Sequence, residues 1–264
     1  MLITLTTDFG QEDAFVGIIK GVIYSLAPNA KIVDLCHQIE PGNIAQASYT
    51  LKSSWCWFPK KTVHIVVVDP GVGSERRAIA GEYQNNYFVG PDNGILTSLL
   101  PNSTRLHSIV NPEYINQTIS STFHGRDVFA PAGTWLAKGV PLSKLGPRVM
   151  DPIAPDLPQA SVWKNTIRGQ IIYADHFGNL TSNISAEILK EVFPERHEKL
   201  KIRIGDKTIS GLSSFYNQKT KGSIGAIINS WNMLEIFCNN GHAAKHLHQE
   251  VGGTITISSK RSKL

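Results

Sequence analysis

The run Thr62-Val63-His64-Ile65-Val66-Val67-Val68 limits this chain most. It is nearly continuous in apolar residues and lacks polar alternation, so it reads as a strand buried on both faces. Strands of that kind belong to parallel sheets covered by helices. Where the run stops, Asp69-Pro70-Gly71-Val72-Gly73-Ser74-Glu75-Arg76-Arg77 sets a carboxylate on a Pro/Gly turn with two guanidiniums close behind. Open α/β sheets hold ligands just beyond the carboxyl ends of their strands, and glycines there let a ligand approach the backbone. A tight turn carrying a solvated aspartate is the plainer account of the same residues.

On either side, strand and helix patterns alternate. Leu2 to Thr6 reads as a strand, Asp8 to Asp13 as a polar loop, and Ala14 to Leu26 as a helix. Lys31 to Leu35 follows as a strand and Asn43 to Ser53 as a helix. Further strands are expected at 78–81, 87–89 and 105–109, with a helix over 128–138. This order predicts a layered α/β unit with parallel pairing over residues 1–150. Prolines at 152, 155 and 158 predict a linker over 151–164. From 165 to 264, short β runs at 166–174, 200–204, 224–228, 234–237 and 254–257, broken by one helix at 186–192, predict a small β-barrel or sandwich.

At 264 residues and 41% hydrophobic, the chain can bury a substantial core. Its net charge of +5 raises the question of nucleic acid, but four of the 26 basic residues (Lys245, Lys260, Arg261, Lys263) crowd into the last twenty positions. No basic stripe is interleaved with aromatics, so no nucleic-acid surface is expected. Cys36, Cys56 and Cys238 are widely spaced, without paired metal-ligand spacing, and fit a reduced cytoplasmic interior. The opening MLITLTTDFG lacks the pattern of a secretory signal, and no apolar run approaches a membrane span. The final Ser262-Lys263-Leu264 matches a receptor-read peroxisomal address, a coincidence of three residues in this reading.

Asp8 and Asp69 end separate predicted parallel strands and share one crevice if those strands are neighbours. In Ser121-Thr122-Phe123-His124-Gly125-Arg126-Asp127, the aspartate suits a helix N-terminus, whereas His124 has no such local reason. A carboxylate beside a guanidinium, with an imidazole, suits the orientation or deprotonation of water. Asp8, Asp69, His124 and His176 as metal ligands are the alternative, but they lack the short recurring spacing of a motif such as His-Glu-x-x-His. The glycines also match neither a P-loop nor a dinucleotide fingerprint. Asp175-His176-Phe177-Gly178-Asn179, Asn229 to Ile236 and Cys238 to Gly241 mix turn residues with the amides and aromatics that a purine requires.

Taken in order, Thr7-Asp8-Phe9-Gly10 with Asp13, Val67-Val68-Asp69-Pro70-Gly71-Val72-Gly73 with Arg76, Phe123-His124-Gly125-Arg126-Asp127, Asp175-His176-Phe177-Gly178-Asn179 and Leu234-Glu235-Ile236 resemble the S-adenosylmethionine (SAM) hydroxide adenosyltransferases. These are relatives of the fluorinase and chlorinase. The resemblance implies an N-terminal α/β/α sandwich, a C-terminal β-barrel, and a homotrimer with active sites shared between subunits. It implies SAM as substrate, with no cofactor and no metal, and adenosine and L-methionine as products. Asp69, Arg76 and His124 would be the water-activating set, and their presence favours water over halide as nucleophile. By the same carry-over, Asp8 would hold the ribose hydroxyls, while Asp13 and Asp175 would lie near the methionine end. Phe177, Asn179 and Tyr216 would frame the adenosyl group, with Ser230, Trp231 and Asn239 along the purine edge and Glu235 also in the binding set. The chain departs from the family pattern at Trp231 and Asn232, where small residues such as Ser-Gly are usual, and at Gly42, where halogenating members carry an aromatic. A halide transferase, a metal-dependent hydrolase and a non-catalytic nucleoside sensor are the competing readings.

Overall fold

The computed structural model describes residues 1–194 and 200–259, so the Ser262-Lys263-Leu264 tail lies outside the described residues. The chain divides into two compact units, Met1–Leu157 and Pro158–Leu264.

The first unit carries strands β1 (Leu2–Thr7), β2 (Lys31–Cys36), β3 (Val63–Val67), β4 (Ala78–Tyr83), β5 (Asn86–Pro91), β6 (Leu106–Ser108) and β7 (Arg148–Val149) in one sheet. Their spatial order is β2-β1-β3-β5-β4-β6-β7. Helices α1 (Phe15–Leu26), α2 (Ile44–Ser54), α3 (Ile95–Leu99) and α4 (Ala130–Ala137) cover it. The parity of β3 shows why this sequence makes a three-layer unit. Val63, Ile65 and Val67 pack with Ile19 and Ile23 of α1 and with Ala130, Ala132 and Leu136 of α4. Val66 and Val68 turn the other way, against Ala47 and Leu51 of α2 and Ile95 and Leu96 of α3. His64, inside this run, is fully buried. It stacks on Phe88 at 5.1 Å, hydrogen-bonds Thr4 Oγ1 through Nδ1 at 2.8 Å, and burial pushes its pKa down to about 4.

The expected α/β class is what is observed, with one refinement. β2, β1, β3 and β5 run parallel, while β4, β6 and β7 pair antiparallel. The cause is a two-residue hairpin: Gln84 and Asn85 both take positive φ (49° and 62°), the twist-matched turn that returns a strand directly beside its predecessor. Neither residue is glycine, so the usual sequence signal was missing.

The Pro-rich stretch 151–164 is held at both ends. Arg77 Nη1 grips Asp151 Oδ1 at 2.7 Å, and Ile153 N donates to Asp92 Oδ1 at 2.9 Å within the first unit. β8 (Ser161–Trp163) pairs with β9 (Thr166–Ala174) within the second.

The second unit continues with β10 (Leu180–Ser185), α5 (Ala186–Val192), β11 (Leu200–Ile204), β12 (Lys207–Ser210), β13 (Ile224–Ile228), β14 (Met233–Cys238), α6 (Ala243–Leu247) and β15 (Thr254–Ser259). Its antiparallel sheet runs β12-β11-β15-β9-β10-β14-β13. A bridge between Ser213 and Ile227 brings the chain after β12 back beside β13, so the sheet is a nearly closed barrel. Leu200, Ile202 and Ile204 point into its core while Lys201 and Arg203 face out, the period-two pattern of a half-buried strand.

Candidate active site

Two parallel neighbours build the floor of the first cluster. Thr7 of β1 stands opposite Val67 of β3, so Asp8 and Asp69 emerge side by side one and two residues further on. Asp8 senses the Asp69 charge. Burial raises the Asp8 carboxyl above the ordinary carboxylate value, the Gly42 N–H (2.8 Å to Oδ2) opposes that rise, and the Asp69 charge reinforces it.

The loop after β3 folds back through Val72 N to Asp69 O (3.2 Å) and Ser74 N to Gly71 O (3.1 Å), which returns Arg76 to Asp69. Arg76 Nε lies 2.9 Å from Oδ1 and 3.0 Å from Oδ2, and Nη2 makes a second, short contact with Oδ2. The same Nη2 donates to His124 Nδ1 at 2.9 Å. Both Arg76 and Asp69 are nearly buried, at 9% and 5% side-chain exposure, and the guanidinium rests over the Phe129 ring at 5.2 Å. The structure therefore brings Asp69, Arg76 and His124 into one chain of contacts.

This geometry assigns the histidine's protons. A guanidinium only donates, so Nδ1 accepts, and the neutral imidazole carries its hydrogen on Nε2. Burial and then the Arg76 charge lower the His124 pKa, against the smaller pull of Asp69 and Asp127. Protonation would put an N–H against the guanidinium and break the contact. Activity that depends on this set is expected to fall on acidification, with its acid limb below the usual histidine value of about 6.5. A pH profile of kcat/KM checks this; a limb above that value contradicts the assignment.

Backbone geometry at His124 departs from the expected helix start. Gly125–Phe129 is a π-helical turn ahead of α4, a distortion frequent at functional sites. Asp127 lies in the first turn, as expected of a helix N-terminal residue, but its side chain does not cap the helix. Its carboxylate is 1% exposed and instead accepts Asn116 Nδ2 (2.9 Å), Ser120 N (2.9 Å) and Arg126 Nε (2.7 Å). Burial alone would raise its pKa, but these bonds outweigh that and hold it at about 2. Asp127 thus ties down the loop leading to His124. Phe123 meets Phe9 and Phe15 edge to face, and Phe9 and Phe15 tilt against each other, with centroids 5.4–5.9 Å apart. Asp13 is exposed in the turn before α1.

A second cluster occupies the outer face of the barrel in the other unit. Tyr173, Thr181, Glu235 and Ile227 form one cross-strand row, set against the core by a register shift between β9 and β10. Glu235 is nonetheless buried, at 5% exposure. Tyr216 Oη donates to its Oε1 at 2.9 Å and Asn229 Nδ2 to Oε2 at 3.1 Å. Burial raises the Glu235 carboxyl, and the Asp175 charge adds to it; burial and then Glu235 push Tyr216 up to about 12. Asp175 accepts Asn179 N at Oδ1 (2.8 Å) and Asn179 Nδ2 at Oδ2 (3.0 Å), closing a turn with Phe177 73% exposed at its tip. Gly178 is required there: φ is +83°, and a Cβ would lie 2.0 Å from His242 Nδ1. Asp175, Phe177, Asn179, Tyr216 and Glu235 are thereby grouped.

Ser230 and Trp231 precede β14 and Asn239 follows it, so their backbones stand at its two ends. Asn239 also spends its Nδ2 on Asn217 Oδ1 (3.2 Å) and Lys219 O (2.6 Å). Asn232 takes φ +59°, a conformation that glycine or asparagine adopts readily, so its departure from Ser-Gly keeps the turn. Among the described residues, no group of three or more His, Cys, Asp or Glu could hold a metal ion.

The family model described as SAM hydroxide adenosyltransferase N-terminal domain matches residues 3–146, and that of the C-terminal domain matches residues 169–256. The chain belongs to the SAM hydroxide adenosyltransferase family. Within it, the chain is 33% identical over 97% of both chains to a protein of Salinispora arenicola named (R)-S-adenosyl-L-methionine hydrolase. It is 26% identical, over 78% of both, to a fluorinase of Actinopolyspora mzabensis. A solved structure of an uncharacterized conserved protein from Thermotoga maritima superposes with a TM-score of 0.88 at 32% identity, covering 98% of this chain and 100% of that one.

Two residues, His37 and Asn229, escape the sequence reading. His37 follows β2 as Asp69 follows the β3 run, and it hydrogen-bonds Thr7 Oγ1 at 2.8 Å. A search for polar residues just past every predicted parallel strand would have found it. Asn229, a turn residue by sequence, also binds Glu235, and no local pattern shows that.

Proposed function

We propose that this chain hydrolyses SAM to adenosine and L-methionine. The single observation that carries the reading is Arg76 joining Asp69 to His124 just beyond the ends of parallel strands. Water attacks C5′ of the ribose in line with the C5′–S bond; the C5′–O bond forms as C5′–S breaks. Methionine departs as a neutral thioether and needs no acid, so the protein's work is alignment and proton removal. Asp69 accepts the water proton. Arg76 fixes that carboxylate and the imidazole together, and His124 offers Nε2–H to the water oxygen as negative charge grows on it. Asp8 holds the ribose hydroxyls, and the grouped residues of the second unit hold the adenosyl and methionine portions.

The reading includes assembly as a homotrimer in the cytoplasm, in which clusters of different subunits complete each site. No described helix is long and apolar enough to cross a membrane. Chromatography of SAM incubated with the protein tests the function: adenosine and methionine are expected, unchanged by EDTA. 5′-Halo-adenosine appearing with chloride or fluoride would identify a halide transferase, and binding without turnover a sensor.

A further inference from the structure

The loop after β2 grips the loop after β1 at three points, and His37 supplies two of them. Because β2 pairs in parallel with β1, with Cys36 opposite Thr6, the next residues His37 and Thr7 stand side by side. His37 is 2% exposed and Thr7 fully buried. His37 Nδ1 meets Thr7 Oγ1 at 2.8 Å, the His37 carbonyl accepts Gly10 N at 2.7 Å, and Gly42 N donates to Asp8 Oδ2 at 2.8 Å. On the far side of the ring, Asp34 Oδ1 lies 3.0 Å from Nε2, off the axis of a full hydrogen bond, and Asp34 Oδ2 accepts Lys20 Nζ at 2.6 Å.

Facing that carboxylate, Nε2 keeps its hydrogen. Nδ1 then presents a lone pair, and the Thr7 hydroxyl must donate to it. The Thr7 oxygen is left to accept Phe9 N at 3.3 Å, across Asp8. Every bond in the series thus has one direction. Phe9 N–H donates to Thr7 and the Thr7 hydroxyl to His37, whose Nε2 faces the Asp34 carboxylate, with Asp8 between the braced Thr7 and Phe9. The arrangement has the order of an acid–histidine–hydroxyl triad, but its hydroxyl is buried and engaged, so it does not serve as a nucleophile.

We propose that His37, through Thr7, is a positioning residue that aims the Asp8 carboxylate, and so sets recognition of ribose hydroxyls; this rests on the SAM-hydrolase reading, in which Asp8 contacts the ribose. Thr7→Val keeps the side-chain shape and removes the hydroxyl. It is expected to raise KM for SAM about tenfold, the equivalent of ~1.4 kcal/mol, with kcat within about threefold. Thr7→Ser restores KM. His37→Gln, which leaves Thr7 unmatched, is expected to follow Thr7→Val.

Calorimetric binding of adenosine and of 2′,3′-dideoxyadenosine gives a readout that a merely structural role would not move. The wild type is expected to prefer adenosine by about tenfold or more, since a site built for hydroxyls rejects the analogue without them. Thr7→Val should lose most of that preference while binding dideoxyadenosine as the wild type does. Full preference in Thr7→Val overturns the proposal, as does equal loss of both nucleosides. A wild type that turns over SAM yet binds both nucleosides alike overturns the placement of ribose at Asp8, and this proposal with it, while leaving hydrolysis standing. A wild type that does not turn over SAM overturns the parent reading.

Discussion

Asp69→Asn is expected to slow adenosine release by about 10²–10⁴-fold, the range of a lost general base, while equilibrium binding of SAM stays within a few-fold of wild type. The substitution tests charge rather than position. An asparagine oxygen still accepts from Arg76, whose Nε now contacts both carboxylate oxygens, so the loop keeps its anchor. What disappears is the group that takes the proton. His124→Ala is expected to fall in the same range, because Nε2–H is lost and Arg76 Nη2 loses its second partner. Residues acting as one unit are not additive, so the double variant should be little worse than either single one. Single-turnover chromatography with calorimetric titration of SAM separates the two effects. Full activity in both single variants would remove these roles.

Gly73→Ala should damage both stability and rate, although it adds only one methyl group. Gly73 has φ +78°, and a Cβ there would stand 2.2 Å from the backbone oxygen of Ser121. The left-handed backbone alone costs on the order of 1 kcal/mol for alanine, and displacing a backbone carbonyl adds a packing cost of about 1–3 kcal/mol. The loops forced apart carry Arg76 on one side and His124 on the other. A shift of about 1 Å between catalytic groups costs on the order of 10²-fold in rate. Urea unfolding with parallel rate measurement checks this. Gly139→Ala is the control: φ is +96° but no atom lies within 4 Å of the added Cβ, so only the backbone cost applies. If Gly73→Ala behaves like Gly139→Ala, the close approach of the two loops is wrong.

Much of the architecture was legible because its signals are local. The apolar run at 62–68 marked a doubly covered strand, and strands 166–174, 200–204 and 224–228 and helix 186–192 fall where periodicity placed them. Hairpins were harder. The β4–β5 turn uses Gln84 and Asn85, whose positive φ no composition rule announces, and its omission hid the antiparallel half of the first sheet. Asp127 shows the same limit in a side chain. Its position fits a helix start, yet its partners Asn116 and Ser120 lie on a preceding loop whose return is set by packing. In the second unit, Ser230, Trp231 and Asn239 shared a turn-and-amide character but stand at opposite ends of β14.

By itself the sequence determined the alternation of buried and exposed faces, the layered α/β unit and the β-rich one, and the polar residues left at strand ends. Those depend on neighbours a few positions apart, where the 2.0 and 3.6 periods of strand and helix act. Only the tertiary structure decided which strand ends meet, which nitrogen of His124 holds the proton, that Arg77 is engaged by Asp92, and that His37 meets Thr7 beside Asp8. Contacts across 48 or 30 residues follow from sheet order and loop packing, because a hydrogen bond depends on position in space and carries no record of separation along the chain.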